Sequence, residues 1–308
     1  MGILSAPDVS DGLDRHSSDR YELVRTSKSD GPRGKVSMMR LRWSANLSML
    51  WKEYSFLDRF GRARDAGFDT VEFWWPRKLR PEDIDANAKR SGLRVALINM
   101  DAGDLEAGDR GFLNRPERTA DVLAAAAVAI DLARALGCPL LNCPVGKDSG
   151  DDRRRQEETI VSTLAEIAIR AARAGVTVTL EPLNSFDHPT YLMCSTTVAQ
   201  EWIERVGPSV ALLYDAYHMG AMGDDIVAAP RRLRPAHVQV ADWPGRHEPG
   251  TGRLPYAAFF RELETLDYEG YVGLEYSPAV SVDDSLKWLR AYEAGQPELA
   301  PGPPAFRR

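Results

Sequence analysis

Val176-Thr177-Val178-Thr179-Leu180-Glu181-Pro182-Leu183-Asn184 is a β-branched, apolar run that stops at a carboxylate followed by proline. A buried strand of a parallel sheet accounts for the run. Core packing does not account for Glu181, because a carboxylate is costly to bury unless a metal, a cation or a proton offsets it. The pattern recurs three times downstream. Val210-Ala211-Leu212-Leu213-Tyr214 ends at Asp215, Ala236-His237-Val238 leads to Gln239, and Tyr271-Val272-Gly273-Leu274 ends at Glu275. Four successive strand-like runs each deliver an oxygen-bearing side chain near the carboxyl end.

Upstream of this series the same alternation holds. Strands are expected over 41–47, 70–74, 94–99 and 139–143. Helices are expected over 54–66, 81–91, 115–136 and 152–174. Pro81 opens one helix, and Gly67, Gly92, Gly137 and Gly175 follow the ends of all four. Further helices follow the four later strands, over 196–206, around 224–228, over 255–266 and over 282–294. Eight strand–helix units in strict alternation mean parallel strands joined by crossover helices. The fold class is therefore α/β, and units of this length suit a (β/α)8 TIM barrel of one domain over residues 39–296. A doubly wound sheet is the rival. It more often carries a Gly-rich phosphate turn after its first strand, and Ser44-Ala45-Asn46-Leu47-Ser48 has none. Residues 1–38 lack periodicity and read as a disordered leader, and 297–308 as a Pro-rich tail.

Composition bounds the function classes. Of the 308 residues 44% are hydrophobic and 27% charged, and the net charge is −6. That balance argues against nucleic acid as partner. No apolar run is long enough for a membrane span, and the N-terminus lacks a secretory h-region, so the expected location is cytoplasmic. The three cysteines do not make a disulfide framework. A homo-oligomer is the general expectation, since homo-oligomers are common among soluble chains.

In a barrel, Glu181, Asp215, Gln239 and Glu275 converge at the carboxyl-end face. Taken singly, each fits a salt-bridged strand end. Four in succession point to a metal or acid/base site. An oxygen-only set favours a divalent metal such as magnesium or manganese. Without one, clustered carboxylates repel and at least one stays protonated. Two carboxylates in a low-dielectric cleft suit the removal of a proton beside a carbonyl and its return to the neighbouring carbon. We assign Glu181 and Glu275 to that pair. Candidate substrate-binding residues are His218, three positions past Asp215; Arg246, in a Gly/Pro-bounded loop; Lys147, after the fourth strand; and Asn46, at the end of the first.

Several motifs carry a family resemblance. They are Ser44-Ala45-Asn46-Leu47-Ser48-Met49-Leu50, Ala102-Gly103-Asp104 with Ala107-Gly108-Asp109-Arg110-Gly111, Glu181-Pro182-Leu183-Asn184, Tyr214-Asp215-Ala216-Tyr217-His218-Met219, His237-Val238-Gln239-Val240-Ala241-Asp242, and the run from Pro244 to Gly252. Together they resemble the hydroxypyruvate isomerase family, within the xylose isomerase-like barrels of sugar isomerases and epimerases. The resemblance spans roughly residues 40–290. It implies an aldose–ketose type intramolecular oxidoreductase acting on hydroxypyruvate and tartronate semialdehyde, or a related 2-oxo sugar acid. It also implies that Glu181 and Glu275 transfer the proton and that Asp215 and Gln239 complete the metal site. Two positions depart from the family: Phe186 stands where an arginine is usual, and Arg253 where a glutamate is usual. The alternatives are a ketose or inosose epimerase or dehydratase of the same superfamily, and a non-catalytic sugar-acid binding protein.

Overall fold

Eight parallel strands close on themselves in sequence order. They are β1 (Arg42–Asn46), β2 (Thr70–Phe73), β3 (Arg94–Asn99), β4 (Leu140–Asn142), β5 (Thr177–Leu180), β6 (Val210–Asp215), β7 (His237–Val240) and β8 (Tyr271–Leu274). The computed structural model describes residues 40–296. The expected leader over 1–38 and tail over 297–308 lie outside the described residues. Closure is made by β1, which pairs with β2 on one side and β8 on the other. The fold is thus the (β/α)8 barrel, and the doubly wound alternative is excluded.

Helices clothe the ring because the strands are buried on both faces and their outer side chains need apolar cover. The helices are α1 (Asp58–Asp65), α2 (Pro81–Ser91), α3 (Thr119–Leu136), α4 (Arg153–Arg173), α5 (Thr196–Val206), α6 (Ala216–Ala221), α7 (Ala229–Leu233), α8 (Tyr256–Thr265), α9 (Val282–Ser285) and α10 (Lys287–Glu293). Local chemistry fixes their ends. Pro81 starts α2, and Gly92 stops it in the left-handed region at φ 70°. Asp152 and Ser195 accept hydrogen bonds from the first-turn amides of α4 and α5. No helix among the described residues is long and apolar enough to cross a membrane.

Two expectations are corrected. Residues 224–228 are not helical; the β6–β7 connection holds α6 and α7 on either side of them. Asp215 caps α6 directly, with its carboxylate accepting from Tyr217 N at 2.8 Å, so the chain turns helical without a loop. Pro230 seeds the second segment. The expected helix over 282–294 is two segments, α9 and α10, joined at Leu286.

Register sets the height of the site. Asn46 is level with Glu72 across β1–β2, and Asp215 is level with Gln239 across β6–β7. Leu274 is level with Ala45, which brings Glu275 beside Asn46. Polar side chains thus form a layer at the carboxyl ends of the strands, while buried helix side chains such as Phe60, Ile84, Leu164 and Phe259 belong to the hydrophobic core between the helices and the barrel.

Candidate active site

Glu181, Asp215, Gln239 and Glu275 are all buried at the carboxyl-end mouth of the barrel. Glu181 follows β5, and its Oε2 accepts from Asn142 Nδ2 at 2.7 Å. Glu275 follows β8. Its Oε2 accepts from Asn46 Nδ2 at 3.0 Å and from Gln239 Nε2, and its Oε1 accepts from Arg246 Nη2 at 2.7 Å. Arg246 Nη2 also stands 4.0 Å from Asp215 Oδ2, and its guanidinium lies over the Tyr217 ring at 5.1 Å. Arg246 is therefore drawn in among the carboxylates rather than left in a solvated loop.

His218 projects from α6 into the same cluster. Its Nδ1 accepts from the Asn184 backbone N–H at 3.1 Å, so in the neutral ring Nε2 carries the hydrogen. That nitrogen lies 3.6 Å from Asp215 Oδ2 and 4.0 Å from Glu181 Oε1. Burial, then the positive charge of Arg246, pushes the imidazole well below its ordinary pKa. His218 thus offers a neutral N–H donor to the cluster.

Electrostatics distinguish the carboxyls. Burial and then the Asp215 charge push Glu181 up to about 8. Burial pushes Asp215 up to about 6, against the pull of Arg246. Glu275 is raised by burial, again against Arg246. Burial pulls the Arg246 guanidinium down, but Glu275, Asp215 and Glu181 outweigh it and hold it above its usual value. With all three carboxyls ionised the cluster would hold more negative charge than one guanidinium offsets, and the raised values relieve that excess by keeping protons on them.

A divalent cation fits this donor set. Ligand atoms of Glu181, Asp215 and His218 lie within 4.8 Å of one another. Asp215 Oδ2 and Gln239 Oε1 are buried with no hydrogen-bond partner among the described residues. Those two oxygens and the Glu181 carboxylate are natural ligands for a hard ion. The Nδ1 contact of His218 leaves its Nε2 protonated and removes it from the ligand set.

Glu72 is a buried charge beside the candidate site that the strand reading missed. It lies fully buried in β2 and spans the barrel interior. It accepts from His237 Nε2 at 2.8 Å, from Gln239 Nε2 at 2.7 Å and from Asn46 Nδ2 at 3.2 Å. A Cβ on Gly273 would collide with its carboxylate, so β8 needs glycine at that level. The signal was present in Thr70-Val71-Glu72-Phe73, a lone charge inside an apolar strand. Asn142 and Arg110 were also passed over.

The remaining predicted residues lie as follows. Asn46 is buried at the end of β1, with its amide donating to both Glu72 and Glu275. Lys147 follows β4, and its backbone pairs with Tyr191. Phe186 is 66% exposed and lies against Trp243, ring centroids 5.6 Å apart. Arg253 has an exposed side chain, and its backbone N–H donates to Trp243 O at 2.8 Å.

Residues 60–292 match the profile of the family described as xylose isomerase-like TIM barrel. The chain belongs to that family. It is 37% identical over 256 residues to a protein of Escherichia coli named hydroxypyruvate isomerase, covering 82% of this chain and 99% of the other. It is 36% identical over 255 residues to a 2-oxo-tetronate isomerase of Cupriavidus necator, covering 82% and 98%. Among solved structures it resembles one from Brucella melitensis described as AP endonuclease, family 2. That match has a TM-score of 0.78 and 36% identity over 82% of this chain and 99% of that one. The resemblance read from the motifs is borne out.

Proposed function

We propose that this protein is an isomerase of small keto acids, moving a proton between adjacent carbons of a hydroxypyruvate-like or 2-oxo-tetronate-like substrate through an enediolate. The observation that carries this reading is the pair of buried carboxyls Glu181 and Glu275, from β5 and β8, both held above their ordinary pKa. A carboxyl near neutrality can take a proton from carbon and return one at the same pH. Glu181 is assigned as the base for the first transfer; His218 Nε2–H, 4.0 Å from its Oε1, favours the ionised carboxylate that this step consumes. Glu275, held by Asn46, Gln239 and Arg246, is oriented to exchange the proton at the neighbouring carbon. Glu181, Asp215 and Gln239 would hold magnesium or manganese, and Glu275 would join them only by giving up a bond to Arg246, Gln239 or Asn46. The ion, when bound, would polarise the substrate carbonyl and its neighbouring hydroxyl.

A zinc-dependent phosphoesterase would need clustered histidines, and only His218 joins the carboxylates among the described residues. Non-catalytic binding would not require two raised carboxyls at one mouth.

The test is turnover of hydroxypyruvate and of four-carbon 2-oxo acids in deuterated water. The wild-type protein should wash deuterium into the carbon beside the carbonyl. Glu181→Gln and Glu275→Gln should each lower turnover by about 10²–10⁴-fold. Near-normal exchange in both variants would sink the assignment.

A further inference from the structure

Arg246 is already matched by the reacting carboxylates, so the carboxylate of a keto acid needs its cation elsewhere. Two stand nearby without an ion-pair partner among the described residues. Arg110 lies half-buried in the loop between β3 and α3. Its Nη1 donates to the carbonyls of Leu105 at 3.0 Å and Asp109 at 2.6 Å, and its Nε donates to His188 Nδ1 at 3.3 Å. These bonds fix the guanidinium and leave Nη2 without a protein acceptor among the described residues. Lys147 is the second cation. Asn114 Nδ2 donates to its carbonyl at 2.8 Å. A Cβ on Gly108 would stand 3.4 Å from its Nζ, so the ammonium lies against the same loop that carries Arg110.

The acids around these cations are committed to other partners. Asp109 Oδ2 accepts from Asp104 N at 2.9 Å, and Asp104 Oδ1 accepts from the amides of Glu106 and Ala107. Asp187 Oδ2 accepts from Asn184 Nδ2 at 2.9 Å and Tyr217 Oη at 2.8 Å.

His188 connects this patch to the reacting end. Because its Nδ1 accepts from Arg110, Nε2 carries the hydrogen. Its ring centroid is 5.6 Å from that of His218, whose Nε2 faces Asp215 and Glu181. Burial and then the charges of Arg110, Arg246 and Lys147 push His188 down to about 4, so it stays a neutral donor.

We propose that Arg110, Lys147 and the Nε2–H of His188 form the subsite for the carboxylate of a short-chain keto acid, one histidine away from the reacting carboxyls. A fixed guanidinium and an ammonium packed against the loop that carries it suit the two oxygens of a carboxylate. In a chain of net charge −6, two cations without an ion-pair partner among the described residues concentrate an anionic substrate beside them. This inference rests on the keto-acid reading and adds the group that recognises the acid end.

Steady-state kinetics on hydroxypyruvate test it, with the full-length chain and the variants Arg110→Met, Lys147→Met and Arg110→Lys. Each methionine variant should raise KM by about ten- to a hundred-fold, the loss expected of one hydrogen bond to a charged group. The effect on kcat should be several-fold smaller. Arg110→Lys should recover part of the loss because it keeps the charge. Thermal midpoints close to wild type show that the variants fold. Unchanged KM in both methionine variants, or a fall confined to kcat, overturns the subsite while the isomerase reading stands. A wild-type protein inert towards every keto acid overturns the isomerase reading and the subsite with it.

Discussion

Glu181 makes its chemistry visible as a pH dependence of stability. Its folded value of about 8 lies above the ordinary carboxyl value, so the folded state keeps a proton that the unfolded state has lost. The contribution is complete below the unfolded pKa and disappears as pH rises through about 8. Asp215, raised to about 6, has the same sign at lower pH. His188, depressed to about 4, acts oppositely but only below its ordinary value. The metal-free protein should therefore lose thermal stability as pH rises from about 5 to about 8. Calorimetry on Glu181→Gln should show a flatter profile over that window; an unaltered slope would mean that Glu181 is not the group responsible. Glu72 gives a second prediction. Three donors converge on it, and Glu72→Gln leaves one acceptor oxygen while adding a donor. Urea unfolding should show a loss of about 1–3 kcal/mol. The Gln239 amide should also turn its oxygen away from the metal ligands.

At the scale of elements, the loop between β3 and α3 is held where two backbones nearly touch. Gly111 has φ 95°, and a Cβ there would overlap the Pro144 carbonyl in the loop after β4. Its amide donates to Ala102 O at 2.8 Å. Gly111→Ala should force the loop off β4 and carry Arg110 with it. The expected result is a higher KM for keto acid with a lower melting temperature, read from kinetics and a thermal scan on the same sample. The β6–α6 junction works differently. One carboxylate both ends a strand and caps a helix, which places Asp215 and His218 within 3.6 Å by backbone geometry alone. That arrangement explains why the expected helix near 224–228 failed. Ala216-Tyr217-His218-Met219 looks like pocket lining and carries no turn residue, yet the Asp215 cap is sufficient to start the helix there.

Across the whole molecule, the barrel was legible because alternation is a long-range pattern that survives errors at any one boundary. The spans of α2, β3 and α5 agree with the sequence reading residue for residue. The carboxyl-end convergence was legible because four successive strand runs each delivered an oxygen-bearing side chain at or near the carboxyl end. Contacts across the interior were not, since the sequence does not tell which face of a four-residue strand looks inward. Glu72 touches His237 and Gln239 from a strand that is not their neighbour, and only ring closure brings them together. Metal binding should act at this same scale. An ion bound to the native state alone adds about 2.7 kcal/mol at a hundredfold excess over Kd. Saturating manganese should therefore raise the melting temperature by several degrees. Chelation should reverse the rise and abolish turnover; unaffected activity after exhaustive chelation would remove the ion from the mechanism.

Arg246 has a further consequence for how tightly the mouth would hold an ion. The guanidinium pairs with Glu275 at 2.7 Å and stands 4.0 Å from Asp215, so it competes with any ion for shared oxygens. An incoming ion would have to loosen that tether first, which would weaken the grip on any ion and leave it exchangeable. Arg246→Met should therefore bind manganese more tightly in an equilibrium titration while turning over keto acid more slowly. An internal arginine in this position acts as a resident competitor, trading affinity for reversibility.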